Sequence, residues 1–334
     1  MEQKQDDILL RVEHLKMYFP VSRGLLGRKT GAVKAIDDIN FDIKEGETFG
    51  LVGESGCGKT TTGRCILRIY QPTGGRIVYD GVDISNMTEQ QLYSRRREMQ
   101  MIFQDPYSSL DPRQSVGSIV REAVQAGGEK LSAEALENRV NELLTLVELD
   151  VSMADRYPHE MSGGQRQRLG IARALACKPK LIVCDEPVSA LDVSIQAQIV
   201  NLFMRLQKQL GLTYVFIAHD LAVVRHISDR IAVMYLGNIV EITDAAELYL
   251  KPMHPYTRAL LSAIPLTNYD EERRRERITL QGEVPSPINA PSGCPFHPRC
   301  MYASEICRRE KPQLRLFEDG HWVACHQVTC QENV

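Results

Sequence analysis

Near its N-terminal end the chain contains a stretch whose residue types and spacing suit phosphate binding. It has the pattern G-x-x-x-x-G-K-T and consists of Gly53, Glu54, Ser55, Gly56, Cys57, Gly58, Lys59 and Thr60. The glycines let backbone N–H groups turn inward around anionic oxygens, and a helix that begins at Lys59 adds its positive end. The pattern predicts that Lys59 pairs with the β- and γ-phosphates of a nucleotide and that Thr60, followed by Thr61, ligates Mg²⁺.

An acidic pair follows an apolar strand later in the chain. Asp185 and Glu186 come directly after residues 181–184, which are all apolar. In phosphoryl transfer an aspartate at such a position holds Mg²⁺ through water, and a second acid can orient or deprotonate the attacking water. A buried structural cap is the alternative. The phosphate loop upstream favours the catalytic interpretation.

A third motif opens a basic helix and consists of Ser162, Gly163, Gly164 and Gln165. A serine and two glycines at a helix start expose N–H groups and a hydroxyl, which together can bind another anion. Since the chain already has one phosphate loop, this second sensor suits a nucleotide held by another chain.

The elements that must position these motifs alternate between strands and helices. The alternation predicts an α/β fold with a mostly parallel sheet covered by helices. Residues 39–43 alternate apolar and polar side chains, as a half-buried strand does, whereas residues 21–34 read as a glycine- and lysine-rich loop.

Residues 107–160 look helical and interrupt the strand-rich part. One apolar helix face is formed by Leu136, Val140, Leu143, Leu144 and Val147. We expect an inserted helical subdomain at about 105–160 within a first domain of 1–250, and a small cysteine-rich C-terminal domain at 251–334.

Composition narrows the possible classes of protein. The chain has 334 residues, a net charge of -3 and a mean hydropathy of -0.25. This charge argues against a nucleic-acid partner. The polar first residues lack the apolar core of a signal peptide, and no apolar run is long enough to span a bilayer. We therefore expect a cytoplasmic protein that reaches a membrane only through other subunits.

Together the motifs resemble ATP-binding cassette (ABC) proteins, the nucleotide-binding subunits of ABC transporters, which have a P-loop NTPase fold. They follow the family order over most of residues 8–240. They are the Walker A loop at 53–60, the Q-loop residue Gln104, the signature at 161–165, the Walker B strand at 181–185 with Glu186, the D-loop at 189–192 and the switch residue His219. The signature begins with Met161 where leucine is usual, a near-isosteric exchange.

The resemblance implies a shared mechanism. In the family two subunits sandwich two ATP molecules head to tail, so that the Walker A loop of one faces the signature of the other. Glu186 is then the general base, His219 contacts the γ-phosphate, and Gln104 senses Mg²⁺ and water. The residues that bind the partner's ATP are Ser162, Gly163, Gly164 and Gln165.

The resemblance also assigns supporting roles. Asp192 crosses the dimer interface. An aromatic residue before the phosphate loop stacks on adenine, and Phe19 matches best by spacing, with Tyr18 as the alternative. The implied Mg²⁺ ligands are Thr60, Gln104 and Asp185.

Two tail segments, 254–261 and 293–300, resemble the C-terminal region of dipeptide and oligopeptide importer ATPases, and the chain as a whole resembles the second ATPase subunit of a bacterial dipeptide importer. The resemblance implies a related but different second ATPase subunit, two integral membrane permease subunits and a periplasmic or extracellular substrate-binding protein. It places the chain at the cytoplasmic side of the inner membrane. Peptides are the expected cargo, and nickel and glutathione stay open as family alternatives.

Of the nine cysteines, five crowd into the tail. They are Cys294, Cys300, Cys307, Cys325 and Cys330. In a reducing compartment such a group favours a metal site over disulfides, and four thiolates suit either an iron–sulfur cluster or zinc. Subfamily members with this pattern are associated with a [4Fe-4S] cluster, so we expect one on the first four, with Cys330 spare. Unligated reduced thiols are the alternative.

Two other function classes fit the sequence less well. A soluble ABC ATPase acting on ribosomes or DNA typically carries two cassettes or a long coiled coil, and this chain has one cassette and no sustained heptads. An iron–sulfur electron carrier would not need the complete ATPase set. We therefore expect a transport ATPase.

Overall fold

The structure is a computed structural model that describes residues 7–23, 28–264, 277–318 and 320–328. Contacts within the chain divide it into two compact units. The first comprises Met1–Ile43, Phe49–Ser85 and Ala218–Val334, and the second comprises Lys44–Thr48 and Asn86–Ile217. The domain boundaries expected from the sequence stay predictions.

Strands and helices alternate along the described chain. The strands are β1 Ile8–Arg23, β2 Arg28–Lys44, β3 Thr48–Val52, β4 Gly74–Tyr79, β5 Val82–Asp83, β6 Met99–Ile102, β7 Leu181–Asp185, β8 Thr213–Ile217, β9 Arg230–Tyr235, β10 Asn238–Asp244, β11 Arg315–Glu318 and β12 His321–Val323. The helices are α1 Lys59–Ile66, α2 Glu89–Glu98, α3 Pro106–Ser109, α4 Val116–Ala126, α5 Ala133–Leu146, α6 Gly163–Leu175, α7 Val193–Leu210, α8 Leu221–Ile227, α9 Ala245–Leu250, α10 Pro255–Ser262 and α11 Glu305–Arg309.

The first unit contains two groups of strands. One has the order β2-β1-β4-β5, with β4 antiparallel to both β1 and β5. The other has the order β11-β12-β10-β9-β3. In it β3 and β9 are parallel, with Leu51 opposite Ala232, while the pairs from β9 to β11 are antiparallel. Strands β11 and β12 thus extend the group that contains β3, the strand before the phosphate loop.

The alternating pattern at 39–43 is confirmed as part of β2. Ile39, Phe41 and Ile43 are buried, and the Phe41 ring stacks on Phe49 with centroids 5.1 Å apart. The loop predicted over 21–34 is wrong where that segment is described, because β1 continues to Arg23 and β2 begins at Arg28. The two strands are neighbours in one sheet, and pairing of this kind supplies hydrogen bonds that local composition does not reveal.

In the second unit β8, β7 and β6 form a parallel arrangement in that order. Strands β7 and β8 are buried at every position, as a strand covered on both faces should be. The parallel sheet predicted from the sequence is confirmed for these strands and for β3 with β9, whereas the antiparallel strands of the first unit were not predicted.

Most helices of the second unit fall between β6 and β7. Helices α4, α5 and α6 contact one another. The stripe predicted for α5 is confirmed for Val140, Leu143, Leu144 and Val147, which are buried, and Leu136 is half-buried. Whether this group forms a separate inserted subdomain stays a prediction.

Membrane-spanning helices are absent from the described part of the chain, where no helix has both the length and the apolar character to cross a bilayer.

Candidate functional site

The phosphate loop joins the buried strand β3 to helix α1. The predicted helix start at Lys59 is confirmed. Lys59 is 4% exposed, and its Nζ donates to the carbonyl oxygens of Gly53 at 2.8 Å and Glu54 at 3.1 Å. These bonds hold the ammonium group against the loop backbone, where it can meet an anion bound by the loop.

Gly58 shows why this loop needs glycine. It caps α1 with a φ of 110°, a conformation that side chains rarely adopt. A Cβ at this position would lie 2.2 Å from the carbonyl oxygen of Ala35. The sequence pattern predicted the first constraint, whereas the second becomes visible only when β2 lies against the loop.

Glu54 makes two contacts that sequence reasoning missed. Its backbone N–H donates to the Tyr256 hydroxyl at 3.0 Å. Its carboxylate accepts from both terminal nitrogens of Arg299, at 2.9 and 3.2 Å. Both partners lie in the tail segments that the sequence analysis noted only for their resemblance, so the tail reaches the phosphate loop directly.

The neighbouring residue Cys57 is 4% exposed, and its Sγ lies 3.9 Å from Lys59 Nζ. Burial raises the pKa of the Cys57 thiol, and the nearby Lys59 only partly offsets that effect. The thiol therefore stays protonated at neutral pH and fills the inside of the loop as a small apolar group.

In the second unit the predicted Walker B and Q-loop residues come together. Asp185 ends β7 and is 2% exposed. Gln104 Nε2 donates to Glu186 Oε2 at 2.9 Å. The Glu186 backbone has a φ of 47°, and its N–H donates to the carbonyl of Ile217 at 2.9 Å. Non-glycine residues adopt this conformation only rarely, and such backbone angles cluster at functional sites.

The signature opens α6 with a reciprocal cap. The Ser162 hydroxyl accepts from the Gln165 N–H at 3.3 Å, and the Gln165 side chain accepts from the Ser162 N–H at 2.9 Å. Ser162 is exposed at this helix start. Gly164 allows a close approach to the next helix, because a Cβ there would lie 2.7 Å from Ile195 Cγ2.

The D-loop lies beside the signature. A cavity of about 100 Å³ is lined by Gln104, Gly163 and Leu191, among others. Asp192 precedes α7 and is exposed, and the following Val193 is 81% exposed. Three motifs that are distant in sequence therefore line one cavity of the second unit.

His219 and the candidate adenine-stacking residues belong to the first unit. His219 follows β8 and is exposed. Phe19 is half-buried and meets the Tyr70 ring edge-on at 5.6 Å. Tyr18 is also half-buried, and its hydroxyl donates to Asp37. The choice between Phe19 and Tyr18 stays open.

The four tail cysteines within the described residues are neighbours. The Cys294 N–H donates to the Cys307 carbonyl at 2.8 Å. Burial raises the pKa of Cys294 to about 11, and the other three thiols add to the rise. Burial would also raise the pKa of Cys307, but hydrogen bonds with Ser304 and Gln327 outweigh it and lower that pKa. Cys330 lies outside the described residues.

The predicted metal centre gains no support from the arrangement of these side chains. Within the described ranges, no group of three or more histidine, cysteine, aspartate or glutamate residues could hold a metal ion. The iron–sulfur cluster therefore stays a prediction, as does its zinc alternative.

A larger cavity lies elsewhere in the first unit. It has a volume of about 560 Å³ and is lined by residues of β1, β2, β9, β10 and the tail. Of the predicted site residues only Cys294 lines it. Two of its lining cations have carboxylate partners, Arg230 with Asp42 and Lys311 with Asp37.

Comparison with solved structures agrees with the class that these motifs define, the ATP-binding cassette ATPases. One match is the dimeric post-hydrolysis cassette MJ0796 bound to ADP and Pi, at a TM-score of 0.63 and 28% identity, covering 71% of this chain and 98% of that one. Another is CbiO1 of Clostridium perfringens, part of the CbiONQ transporter complex, at a TM-score of 0.63 and 29% identity, covering 74% of this chain and 92% of that one.

Sequence comparison narrows the class. The ABC transporter family model matches residues 36–189, and the model of the oligopeptide/dipeptide transporter C-terminal region matches residues 240–307. The oligopeptide transport ATP-binding protein AppF of Bacillus subtilis (strain 168) is 53% identical over 327 residues, 98% of this chain and 99% of its own length. The putative oligopeptide transport ATP-binding protein YkfD of the same organism is 54% identical over 318 residues, 95% of each chain. The chain belongs to the family of ATP-binding proteins of oligopeptide and dipeptide ABC transporters, in which ATP hydrolysis is coupled to transport.

Proposed function

We propose that this chain is the ATP-hydrolysing subunit that energises import of dipeptides or oligopeptides. The observation that carries the chemistry is the Gln104–Glu186 hydrogen bond beside buried Asp185. The peptide cargo is supported by the tail match and by the relatives named for oligopeptide transport.

Hydrolysis requires a base for water and a cradle for the triphosphate. Glu186 takes a proton from the attacking water, with its carboxylate held by the hydrogen bond from Gln104. The water oxygen then bonds to the γ-phosphorus while the bond to the β-phosphate oxygen breaks. Lys59 and the loop N–H groups stabilise the negative charge of the phosphates. His219 contacts the γ-phosphate.

The Mg²⁺ that accompanies ATP would be held by Thr60, Gln104 and Asp185. Hydroxyl, amide and carboxylate oxygens are the hard ligands that this ion prefers, so the donor set fits. When bound, the ion neutralises charge on the phosphates.

A complete ATP site requires a second chain. Ser162, Gly163, Gly164 and Gln165 would bind the partner's ATP, and Asp192 would lie at the dimer interface. The exposure of Ser162, Asp192 and Val193 supports this role. ATP binding closes the pair and hydrolysis opens it. We expect the partner to be a related ATPase subunit, which makes the pair a heterodimer.

The pair would act on two membrane permease subunits, supplied with cargo by a periplasmic or extracellular substrate-binding protein. This chain would then lie peripherally at the cytoplasmic side of the inner membrane. No nucleic acid is expected as a partner, in keeping with a net charge of -3.

The tail cysteines are proposed to hold a [4Fe-4S] cluster with a structural role. This proposal rests on ligand type alone, since the thiolates of Cys294, Cys300, Cys307 and Cys325 would be soft ligands of the kind that iron–sulfur clusters use. The Gln327 N–H donates to Cys325 Sγ at 3.4 Å, a bond of the kind that stabilises ligating thiolates. Protein purified without oxygen should contain iron and sulfide in equal amounts. A colourless preparation with neither would refute the cluster.

Cargo is tested by transport itself. The complex, reconstituted in vesicles with its substrate-binding protein, should take up labelled dipeptide in an ATP-dependent manner. Excess unlabelled peptide should compete, whereas nickel and glutathione should not. Uptake of nickel or glutathione in place of peptide would overturn the cargo, and co-purification with ribosomes without permease subunits would overturn the transporter.

A further inference from the structure

Two residues of the tail form hydrogen bonds with Glu54 of the phosphate loop. Tyr256, in α10, accepts the Glu54 N–H, and Arg299 grips both oxygens of the Glu54 carboxylate. We call Tyr256 and Arg299 the Glu54 clamp. Neither residue belongs to an ATPase motif, and all three lie in the first unit.

The guanidinium group of Arg299 is buried and donates two hydrogen bonds to the Glu54 carboxylate. The Arg299 side chain is 8% exposed, and Glu54 is 27% exposed. Arg299 Nε has no hydrogen-bond partner among the described residues. Besides its two bonds to Glu54, Arg299 donates from Nη1 to the Tyr235 hydroxyl at 3.5 Å. A two-pronged pair of this kind fixes direction as well as charge.

An aromatic cluster holds the clamp in place. The Tyr256 ring lies 4.7 Å from that of Tyr235 and 5.4 Å from that of Phe296, three residues before Arg299. Tyr256 and Phe296 are almost fully buried. Because these rings pack tightly, they set where the Tyr256 hydroxyl and the Arg299 backbone lie relative to the loop.

The position of Glu54 gives the clamp a consequence for ATP. Glu54 is the first variable residue of the phosphate loop, and its carbonyl accepts from Lys59, the residue that meets the phosphates. A carboxylate here has the same sign as the triphosphate and repels it. Arg299 cancels this charge, and Tyr256 anchors the peptide that Lys59 contacts.

We propose that Arg299 and Tyr256 are positioning residues for ATP, through which the tail neutralises Glu54 and fixes the phosphate loop. This rests on the proposed function, in which the loop binds MgATP. The tail thereby controls nucleotide affinity from outside the ATPase motifs.

The test is binding of a fluorescent methylanthraniloyl-ATP, with Mg²⁺, to the full-length chain. Arg299→Gln leaves Glu54 uncompensated and should weaken binding about tenfold. Arg299→Lys keeps the charge and should recover most of the loss. Glu54→Gln should tighten binding, since Arg299 then attracts the phosphates. The double variant Glu54→Gln with Arg299→Gln should return to within about threefold of the wild type.

Two further variants and one kinetic measurement separate the effect of charge from that of the backbone anchor. Arg309→Gln changes an arginine that is 73% exposed in the same tail and should leave affinity unchanged. Tyr256→Phe removes the anchor but no charge, and should weaken binding without recovery by Glu54→Gln. In the assembled complex Arg299→Gln should raise KM for ATP with little change in kcat.

The recovery in the double variant separates charge from folding, because a folding defect of Arg299→Gln would persist there. Wild-type affinity in Arg299→Gln, or a double variant as weak as Arg299→Gln alone, would overturn the proposal. If the wild type itself does not bind the probe, the proposed function fails as well, so the two failures are distinguishable.

Discussion

Glu54 in the phosphate loop and Glu186 after strand β7 have hydrogen-bond donors of different charge. Glu54 is tied to a guanidinium, whereas Glu186 accepts a hydrogen bond from the neutral amide of Gln104. Glu186, which we propose takes a proton from water, is thus held by a neutral donor, whereas Glu54 is paired with the cation of Arg299.

Glu186→Gln is predicted to bind ATP normally and to lose turnover. Glutamine keeps the shape and can still accept from Gln104, but it cannot take a proton from water. Hydrolysis in the assembled complex should fall about 100-fold or more. The measurements are ATP turnover and binding of the fluorescent ATP.

The control for this variant is Glu142→Gln, which removes a carboxylate that is 66% exposed in α5 and should change neither quantity. Near-normal hydrolysis by Glu186→Gln would show that another group activates the water.

Motif order alone predicted that Gln104, Asp185 and Glu186 share one site, and the structure joins Gln104 to Glu186 by a hydrogen bond. The contact of Glu54 with Arg299 could not be found in this way. The two residues are 245 positions apart, and nothing local in either segment signals the other. Long-range ion pairs depend on the packing of whole elements, which sequence patterns do not encode.

At the scale of elements, the phosphate loop depends on backbone geometry at Gly58. Gly58→Ala would force a Cβ into the Ala35 carbonyl at a φ of 110°. We expect the free energy of unfolding to fall by more than about 2 kcal/mol, with loss of ATP binding. Urea unfolding and fluorescent ATP binding measure the two effects.

Gly56→Ala is the matched comparison in the same loop. Gly56 has a φ of 78°, but a Cβ there would meet nothing within 4 Å. It should cost only about 1 kcal/mol. Equal losses in the two variants would mean that the approach of Ala35 is unimportant.

Helix α10 makes the first unit sensitive to acid. His254 caps this helix, accepting the Tyr256 N–H at Nδ1 over 3.1 Å. Burial lowers the pKa of His254 to about 4, against a smaller opposing effect of Glu241. Between this value and the ordinary one near 6.5, the unfolded chain binds the proton more readily. Stability is therefore present above pH 6.5 and is lost as the pH falls.

Urea unfolding at pH 7.5 and 5.5 should reveal a loss of about 1 kcal/mol from His254. His254→Asn keeps a side-chain acceptor for the cap but does not titrate. The pH dependence should therefore be shallower in that variant by about this amount. An unchanged pH dependence would show that the pKa of His254 is the same in the folded and the unfolded chain.

Elements with a strong hydrophobic period could be predicted from the sequence. The ends of strands that depend on pairing with a neighbouring strand could not. The stripe in α5 and the apolar runs of β7 and β8 follow from local sequence. Strand ends at Arg23 and Arg28 depend on neighbouring strands. Helix α2 was missed although its start carries a recognisable capping box, in which Thr88 and Gln91 bond reciprocally.

At the scale of the whole molecule, the chain carries two motifs that we propose bind two different nucleotides. The phosphate loop is clamped by the chain's own tail, while the Ser162 cap is exposed. A loop whose site is completed by another chain should turn over ATP slowly alone. Family order in the sequence predicted this division, but the tail's hold on the loop came only from the structure.

The most direct test of the account is the rate of ATP hydrolysis by this chain alone and in the reconstituted importer, with and without peptide-loaded binding protein. We predict a low rate alone, a higher rate in the complex, and a further increase with loaded binding protein that Glu186→Gln abolishes. An equal rate for the isolated chain, or a complex indifferent to peptide, would contradict the account.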